Sequence, residues 1–294
     1  MIRRVLVGFF LAVILATFAA GLYESYTQRY LPDWSLLAAL HLFGVLEEIP
    51  VVYEPSKGIW HPLGWTGSAM MIIMLLYSVR KRVGLIRSWG RLPNWLTAHM
   101  FLGIMGPMLV TFHTTFKFGG IITTSYICMM ITMASGLVGR YIYIQIPRGL
   151  SGAELAAQDI ARMVQELDGA LGWYSTRVNV AALFDEIRID TARSGRDNPV
   201  AALFWMIRTD LVNHFKIGRL KRTLRTRHRL DRPTRRMIVG LLKKKTALVR
   251  RMNFLSTSQS LLHYWHVLHR PLAVVMFGIM FLHIIVFYLF RSTH

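Results

Sequence analysis

Four histidines carry the chemistry suggested by this sequence. His99 and His113 stand fourteen residues apart, and so do His269 and His283. On an α-helix, at 100° per residue, fourteen residues return a side chain to within about 40° of its starting direction. At about 1.5 Å per residue the two imidazoles are separated by roughly 21 Å along the axis. Each pair therefore marks one helix face at two depths. Imidazoles matched in this way from two helices suit the axial positions of porphyrin-bound iron.

The rest of the composition narrows that chemistry. The chain has 294 residues and one cysteine, Cys128. One cysteine excludes an internal disulfide, a covalent C-x-x-C-H haem site and a four-cysteine iron–sulfur site. Any redox centre must draw on other ligands, and eleven histidines are available. A metal site without porphyrin fits less well, because no carboxylate or cysteine lies with the histidines in the third and fifth blocks.

Elements able to hold these residues follow from hydropathy. Apolar residues make up 53% of the chain, with a mean hydropathy of +0.38, and they fall in five blocks of membrane-spanning length. These run from about Val5 to Tyr23, Leu63 to Tyr77, Leu96 to Phe116, Ile121 to Ile146 and Val267 to Phe290. The expected fold is an all-α, polytopic membrane helical bundle of about five transmembrane helices with a helical cytoplasmic insertion. The first block, 1–24 with its flanks, reads as an uncleaved anchor; a signal peptide cut near Ala19, Ala20 and Gly21 is the alternative. Between the third and fourth blocks only Lys117 to Gly120 intervene, a tight hairpin.

Charge orients the blocks. Residues 80–95 carry Arg80, Lys81, Arg82, Arg87 and Arg91 and no acid. Residues 24–60 carry Glu24, Asp33, Glu47, Glu48 and Glu54 against Arg29 and Lys57. Under the positive-inside rule the N-terminus and 147–262 are cytoplasmic, while 25–62 and the C-terminus are extracytoplasmic. The expected location is a bacterial cytoplasmic membrane. The third and fifth blocks then run parallel. His99 pairs with His269 at the inner level and His113 with His283 at the outer level, giving two stacked haem b sites.

Small residues and cations complete the expectation. Gly103 and Gly106 lie between the histidines of the third block and Gly278 between those of the fifth, where they would leave width for a porphyrin. Pro107 is expected to kink the third helix, and Pro271 to mark the first turn of the fifth or a bend in it. Arg140 and Arg270 are candidate propionate partners inside, Lys117 and Arg291 outside. His263 or His266 could replace His269, sharing its helical side. His41 and His61 lie on the outer side, as surface residues or at a donor or quinone site. His214, His228 and His294 need no special role.

The insertion 147–262 shows helical patterns. One helix is expected from Gly152 to Leu171, with Ser151 and Glu154 as a capping box. A second covers about 178–190. After a break at Ser194, Gly195, Asp197, Asn198 and Pro199, a third covers 200–215 with Phe204 and Trp205 on its apolar side. Helical pattern resumes beyond Pro233. From Lys216 to Arg251 there are fifteen Lys or Arg and one acid, Asp231. Without interleaved aromatics, this reads as a face against anionic membrane lipids, and no nucleic acid partner is expected. No strand pattern, internal repeat or low-complexity linker stands out.

The histidine spacing and hairpin resemble the transmembrane part of the ferric reductase and NADPH oxidase family, and more loosely the cytochrome b bundle of bc-type complexes. The resemblance covers roughly 65–145 and 262–290. The stretch from Ser135 to Tyr141 also resembles bacterial haem-type membrane proteins. It implies that the four histidines ligate two haems that carry electrons across the membrane. Members of that family continue into a flavin and nicotinamide domain, whereas this sequence has no G-x-G-x-x-G fingerprint and reaches its last residue shortly after the fifth block. The expectation is therefore an electron-transfer subunit that works with redox partner proteins, with quinone as a further candidate partner. A terminal ferric or quinone reductase, and a non-redox transport or assembly protein, are the alternatives.

Overall fold

The computed structural model describes residues 2–44, 53–84, 88–147, 156–175, 178–187, 198–226 and 230–291. Among these, regular structure is helical, with no strand. The chain forms two compact units, one of Met1–Gly136 with His269–His294 and the other of Leu137–Leu268.

The first unit contains α1 (Ile2–Tyr30), a short 3-10 turn (Pro32–Trp34), α2 (Leu36–Leu42), α3 (Trp60–Met74), α4 (Leu76–Arg82) and α5 (Leu92–His113). It also holds most of α6 (Gly120–Gln145) and the C-terminal part of a long final helix (Leu255–Arg291). Among the described residues five helical stretches are long and apolar enough to cross a membrane: Val5–Tyr30, Trp60–Arg82, Leu92–His113, Gly120–Gln145 and Leu255–Phe290. All five expected blocks are present, and several are longer than hydropathy suggested. A helix needs only its backbone bonds to continue, so it runs on past the last apolar residue. The final helix begins at Leu255, because the polar run Ser256 to His263 remains helical.

Glycine sets how the first unit packs. Helices α3 and α5 touch at Gly67 and Gly106, where a Cβ on either would lie 2.7 Å or 2.9 Å from the other's carbonyl oxygen. Gly21 of α1 meets the buried ring of Phe112, which a Cβ there would approach to 2.4 Å. The rings of Phe10 and Phe101 stack at 4.3 Å in the same α1–α5 seam. The expected cleavage region Ala19 to Gly21 thus lies inside α1, against α5. Near the end of α1 the buried Glu24 accepts from Gln28 Nε2 (2.8 Å) and from the Leu36 amide at the start of α2 (2.8 Å). Gln28 in turn accepts from the indole of the buried Trp60 at 2.9 Å. Arg80 is buried too, donating to the carbonyls of Trp89 and Gly90 at 3.2 Å and 2.6 Å.

Pro107 lies within α5 without ending it. Pro271 does not mark a helix start: it lies well inside the final helix. The α5–α6 hairpin is as short as expected. Thr115 and Phe116 adopt φ of 46° and 56°, and Gly120 of 57°, which reverses the chain within a few residues. Left-handed non-glycine residues cost about 1–3 kcal/mol each and persist where surroundings enforce them.

The second unit adds α7 (Ala157–Gly172), α8 (Val180–Ile187), α9 (Pro199–Thr226) and α10 (Arg232–Asn253), so the final helix is α11. Its main core joins Leu171, Leu183, Leu220, Leu224, Ile238 and Leu242 from all four. Two boundaries differ from expectation. Described helix α7 opens at Ala157 with Ala156 as an extended cap lacking a side-chain bond; Ser151 and Glu154 lie outside the described residues. So do Glu47, Glu48, Arg87, Ser194, Gly195, Asp197, His228 and His294, and the side chain of Arg291. Helix α9 starts after Asn198, whose Oδ1 accepts from the amides of Val200 and Ala201 at 2.9 Å and 3.3 Å. It continues well beyond residue 215. Its buried face carries Ala202, Met206, Thr209 and Asn213, and Phe204 is exposed on another face.

One polar network fastens this unit. Arg250 pairs with Asp210 and donates to Gln145 Oε1 at 2.9 Å. Asp210 Oδ2 also accepts from Tyr141 Oη at 2.6 Å and Gln145 Nε2 at 2.9 Å. Burial pulls the Arg250 guanidinium below its usual pKa range, and this ring of partners offsets that cost.

Candidate cofactor site

The histidines of α5 are held by α3. His99 Nδ1 lies 3.1 Å from the carbonyl oxygen of Met74, and His113 Nδ1 lies 2.9 Å from that of Trp60. A carbonyl only accepts, so both nitrogens must carry hydrogen. The neutral imidazoles then keep their lone pair on Nε2.

The Met74 acceptor exists because the helix breaks there. In a regular helix the Ser78 amide would return to Met74; instead it bonds Leu75 at 2.8 Å, where the Val79 amide also bonds at 3.1 Å. The junction of α3 and α4 thereby exposes a carbonyl toward His99. At the other end Gly64 makes room for His113, since a Cβ there would sit 2.6 Å from His113 Nδ1.

The histidine of α11 is held by α6. Ser135 Oγ donates to the Thr132 carbonyl at 2.9 Å and lies 2.7 Å from His269 Nδ1. With the hydroxyl hydrogen directed to Thr132, His269 Nδ1–H is the donor to Ser135, and the lone pair again lies on Nε2. In both helix pairs, one helix carries an imidazole and its neighbour fixes the tautomer. Metal-ligating histidines are oriented in this way.

His113 and His283 line one open cavity of about 250 Å³. Its walls come from α3, α5, α6 and α11, and Lys117 stands at its edge. Its floor is apolar and rich in methionine: Met71, Met129, Met276 and Met280 pack together with Phe277. Between α6 and α11, Ser125 Oγ donates to the Met276 carbonyl at 3.1 Å. Thioethers and aliphatic groups pack against a flat apolar ring without competing for water.

The donor set fits a porphyrin better than a bare ion. Among the described residues no group of three or more His, Cys, Asp or Glu is placed to hold a metal ion. A bare ion would lack ligands here, since protein sites for such ions supply at least three. Porphyrin iron brings four nitrogens of its own and asks for only two axial imidazoles.

The other expected residues are placed as follows. Lys117 is exposed at the cavity. Arg270 is exposed on α11 beside His269. Arg140 belongs to the second unit, its guanidinium 5.6 Å from the Tyr143 ring centroid. His266 Nδ1 bonds the Leu262 carbonyl of its own helix at 2.7 Å, and His263 is exposed; both belong to the second unit. The glycine expectation needs correction. Gly106 meets Gly67 and Met71, and Gly103 faces Met74 Sδ at 3.4 Å, so both serve the α3 seam instead of widening a cofactor slot. Gly278 does face open space.

One residue gains importance. His61 lies on the cavity wall, 6.5 Å from the His113 ring and 5.3 Å from that of Phe287. Neither this nor the roles of Trp60, Met74 and Ser135 was visible in the spacing that identified the four histidines. Backbone acceptors leave no sequence signal, and Ser135 is one serine among many. Comparison with protein families, curated proteins and solved structures finds no match to this chain.

Proposed function

We propose that this chain is a di-haem b membrane cytochrome that moves electrons between a quinol or cytoplasmic donor and an extracytoplasmic acceptor. The observation that carries the reading is the cavity shared by His113 and His283, with His113 Nδ1 committed to the Trp60 carbonyl. Bound haem would supply reversible one-electron exchange at its iron. The protein residues do the rest. His113 and His283 present imidazoles at the outer level, and His99 and His269 at the inner level. Helices α3 and α6 fix imidazole orientation through Trp60, Met74 and Ser135. Lys117 offers a cation to an outer propionate, and Arg270 to an inner one. The methionine floor excludes water, which lowers the dielectric around the centre. Two histidines held for each haem would suit electron transfer and would leave no ligand position for oxygen.

The charge asymmetry of the loops supports an N-terminus on the cytoplasmic side and a C-terminus outside, in a bacterial cytoplasmic membrane. The packing of α1 along α5 supports the anchor reading of the first helix. A second reading, a terminal ferric or quinone reductase, is favoured by His61, Trp65 and Phe287 grouped at the outer cavity.

The test is spectroscopic. Protein purified in detergent from a haem-replete host should give sharp b-type bands in a dithionite-reduced minus oxidised spectrum, with haem quantified by pyridine haemochrome. A colourless, haem-free protein would overturn the proposal. Adding quinol or ferric chelate and following the haem redox state separates carrier from reductase.

A further inference from the structure

Helix α9 carries an apolar stripe that is not packed. Val200, Phe204, Ile207, Leu211 and Phe215 are 76%, 64%, 49%, 59% and 67% exposed. At 100° per residue these five fall within an arc of about 80°, and at 1.5 Å per residue they extend over about 22 Å. The opposite face is the one that packs, through Ala202, Met206, Leu220 and Leu224. A row of this size is uncommon on a surface facing water.

Cations surround and prolong the stripe. Arg208 flanks it, its guanidinium 4.8 Å from the ring centroid of Trp205. Arg219 flanks its far end, and Arg222 and Arg225 continue the same face beyond Phe215, all three exposed. The face therefore changes from wholly apolar to wholly cationic along one helix. An apolar stripe bordered by arginine and tryptophan is the pattern of a helix lying in a membrane interface. The unit also enters and leaves through α6 and α11, both of membrane-crossing length. It is thus joined at both ends to helices long and apolar enough to cross a bilayer.

We propose that the N-terminal half of α9 inserts its stripe into the acyl region of an anionic leaflet, with Arg208, Arg219, Arg222 and Arg225 on the lipid phosphates. A leaflet bearing anionic lipid complements this charge, and acyl chains complement the stripe. The inference does not depend on the haem reading.

The test uses the full chain in vesicles, with Cys128→Ser as background and a fluorophore placed by Phe204→Cys, Leu211→Cys or Arg222→Cys in turn. These three positions are exposed, so the substitutions leave the packed face of α9 unchanged. The expected result is several-fold stronger quenching by acyl-brominated lipid at 204 and 211 than at 222, with the reverse order for aqueous iodide. Adding phosphatidylglycerol to phosphatidylcholine vesicles should increase the acyl quenching. Equal iodide access at all three positions would overturn the proposal. So would an oxidative cross-link between two copies at position 211, or quenching indifferent to phosphatidylglycerol.

Discussion

His113 Nδ1 donates to the carbonyl oxygen of Trp60 at 2.9 Å, across the seam between α5 and α3. This one bond orients the imidazole, sets its tautomer and directs Nε2 away from α3. His283 lines the same cavity from α11. The proposed pairing of His113 with His283 rests on these two imidazoles lining one cavity.

His113→Ala and His283→Ala should each halve the haem content measured by pyridine haemochrome, leaving the inner site loaded. If neither variant loses haem, the pairing is wrong.

Gly64→Leu should have the same effect without touching a ligand. A Cβ at Gly64 would lie 2.6 Å from His113 Nδ1, so the ring must leave its position. Gly103→Ala is the control, since its only close neighbour is the flexible Met74 thioether at 3.4 Å. Haem content of the two variants, compared at equal protein, checks this.

Ser135→Ala removes the acceptor for His269 Nδ1. Loss of such a partner typically costs 10–100-fold in metal-site affinity, so the inner haem should pass faster to an apo-globin acceptor. Ser135→Thr keeps a hydroxyl and should restore retention. Equal loss in both variants would point to packing instead.

Replacing Gly67 or Gly106 with leucine should weaken the helix pair itself. Overpacking costs about 1–3 kcal/mol, and here the clash is with backbone, which cannot turn aside. Thermal unfolding in detergent should show a lowered midpoint for either variant, whether or not haem is present.

Asp210→Asn tests the polar network of the second unit. Breaking a buried pair costs about 3–5 kcal/mol because a charge is left uncompensated. Asp210 is 33% exposed at its side chain, so the low end applies. Asp210→Asn with Arg250→Met should recover much of the loss, read as the thermal midpoint; no recovery would mean the pair is not the source.

The fold class was legible because hydropathy and helix length are local properties. Residues 117–120 already announced the hairpin, and each histidine pair already shared a helix face. Helix ends were less legible: α11 extends to Leu255 through serines and histidines that no hydropathy window marks. The glycines misled for a definite reason. Gly103 and Gly106 can face a cofactor or a neighbouring helix, and nothing in their spacing tells which.

The sequence by itself determined the helical membrane bundle, the histidine set and the charge asymmetry, because these depend on composition and on the 3.6-residue period alone. Only the tertiary structure decided which atoms hold the imidazoles, that His61 joins His113 and His283 at the cavity, and that α9 presents its largest side chains outward. Those are questions of which helix lies beside which, and they are settled by backbone approach at Gly67 and Gly106 and by a broken helix turn at Leu75. Neither can be read from one helix taken alone.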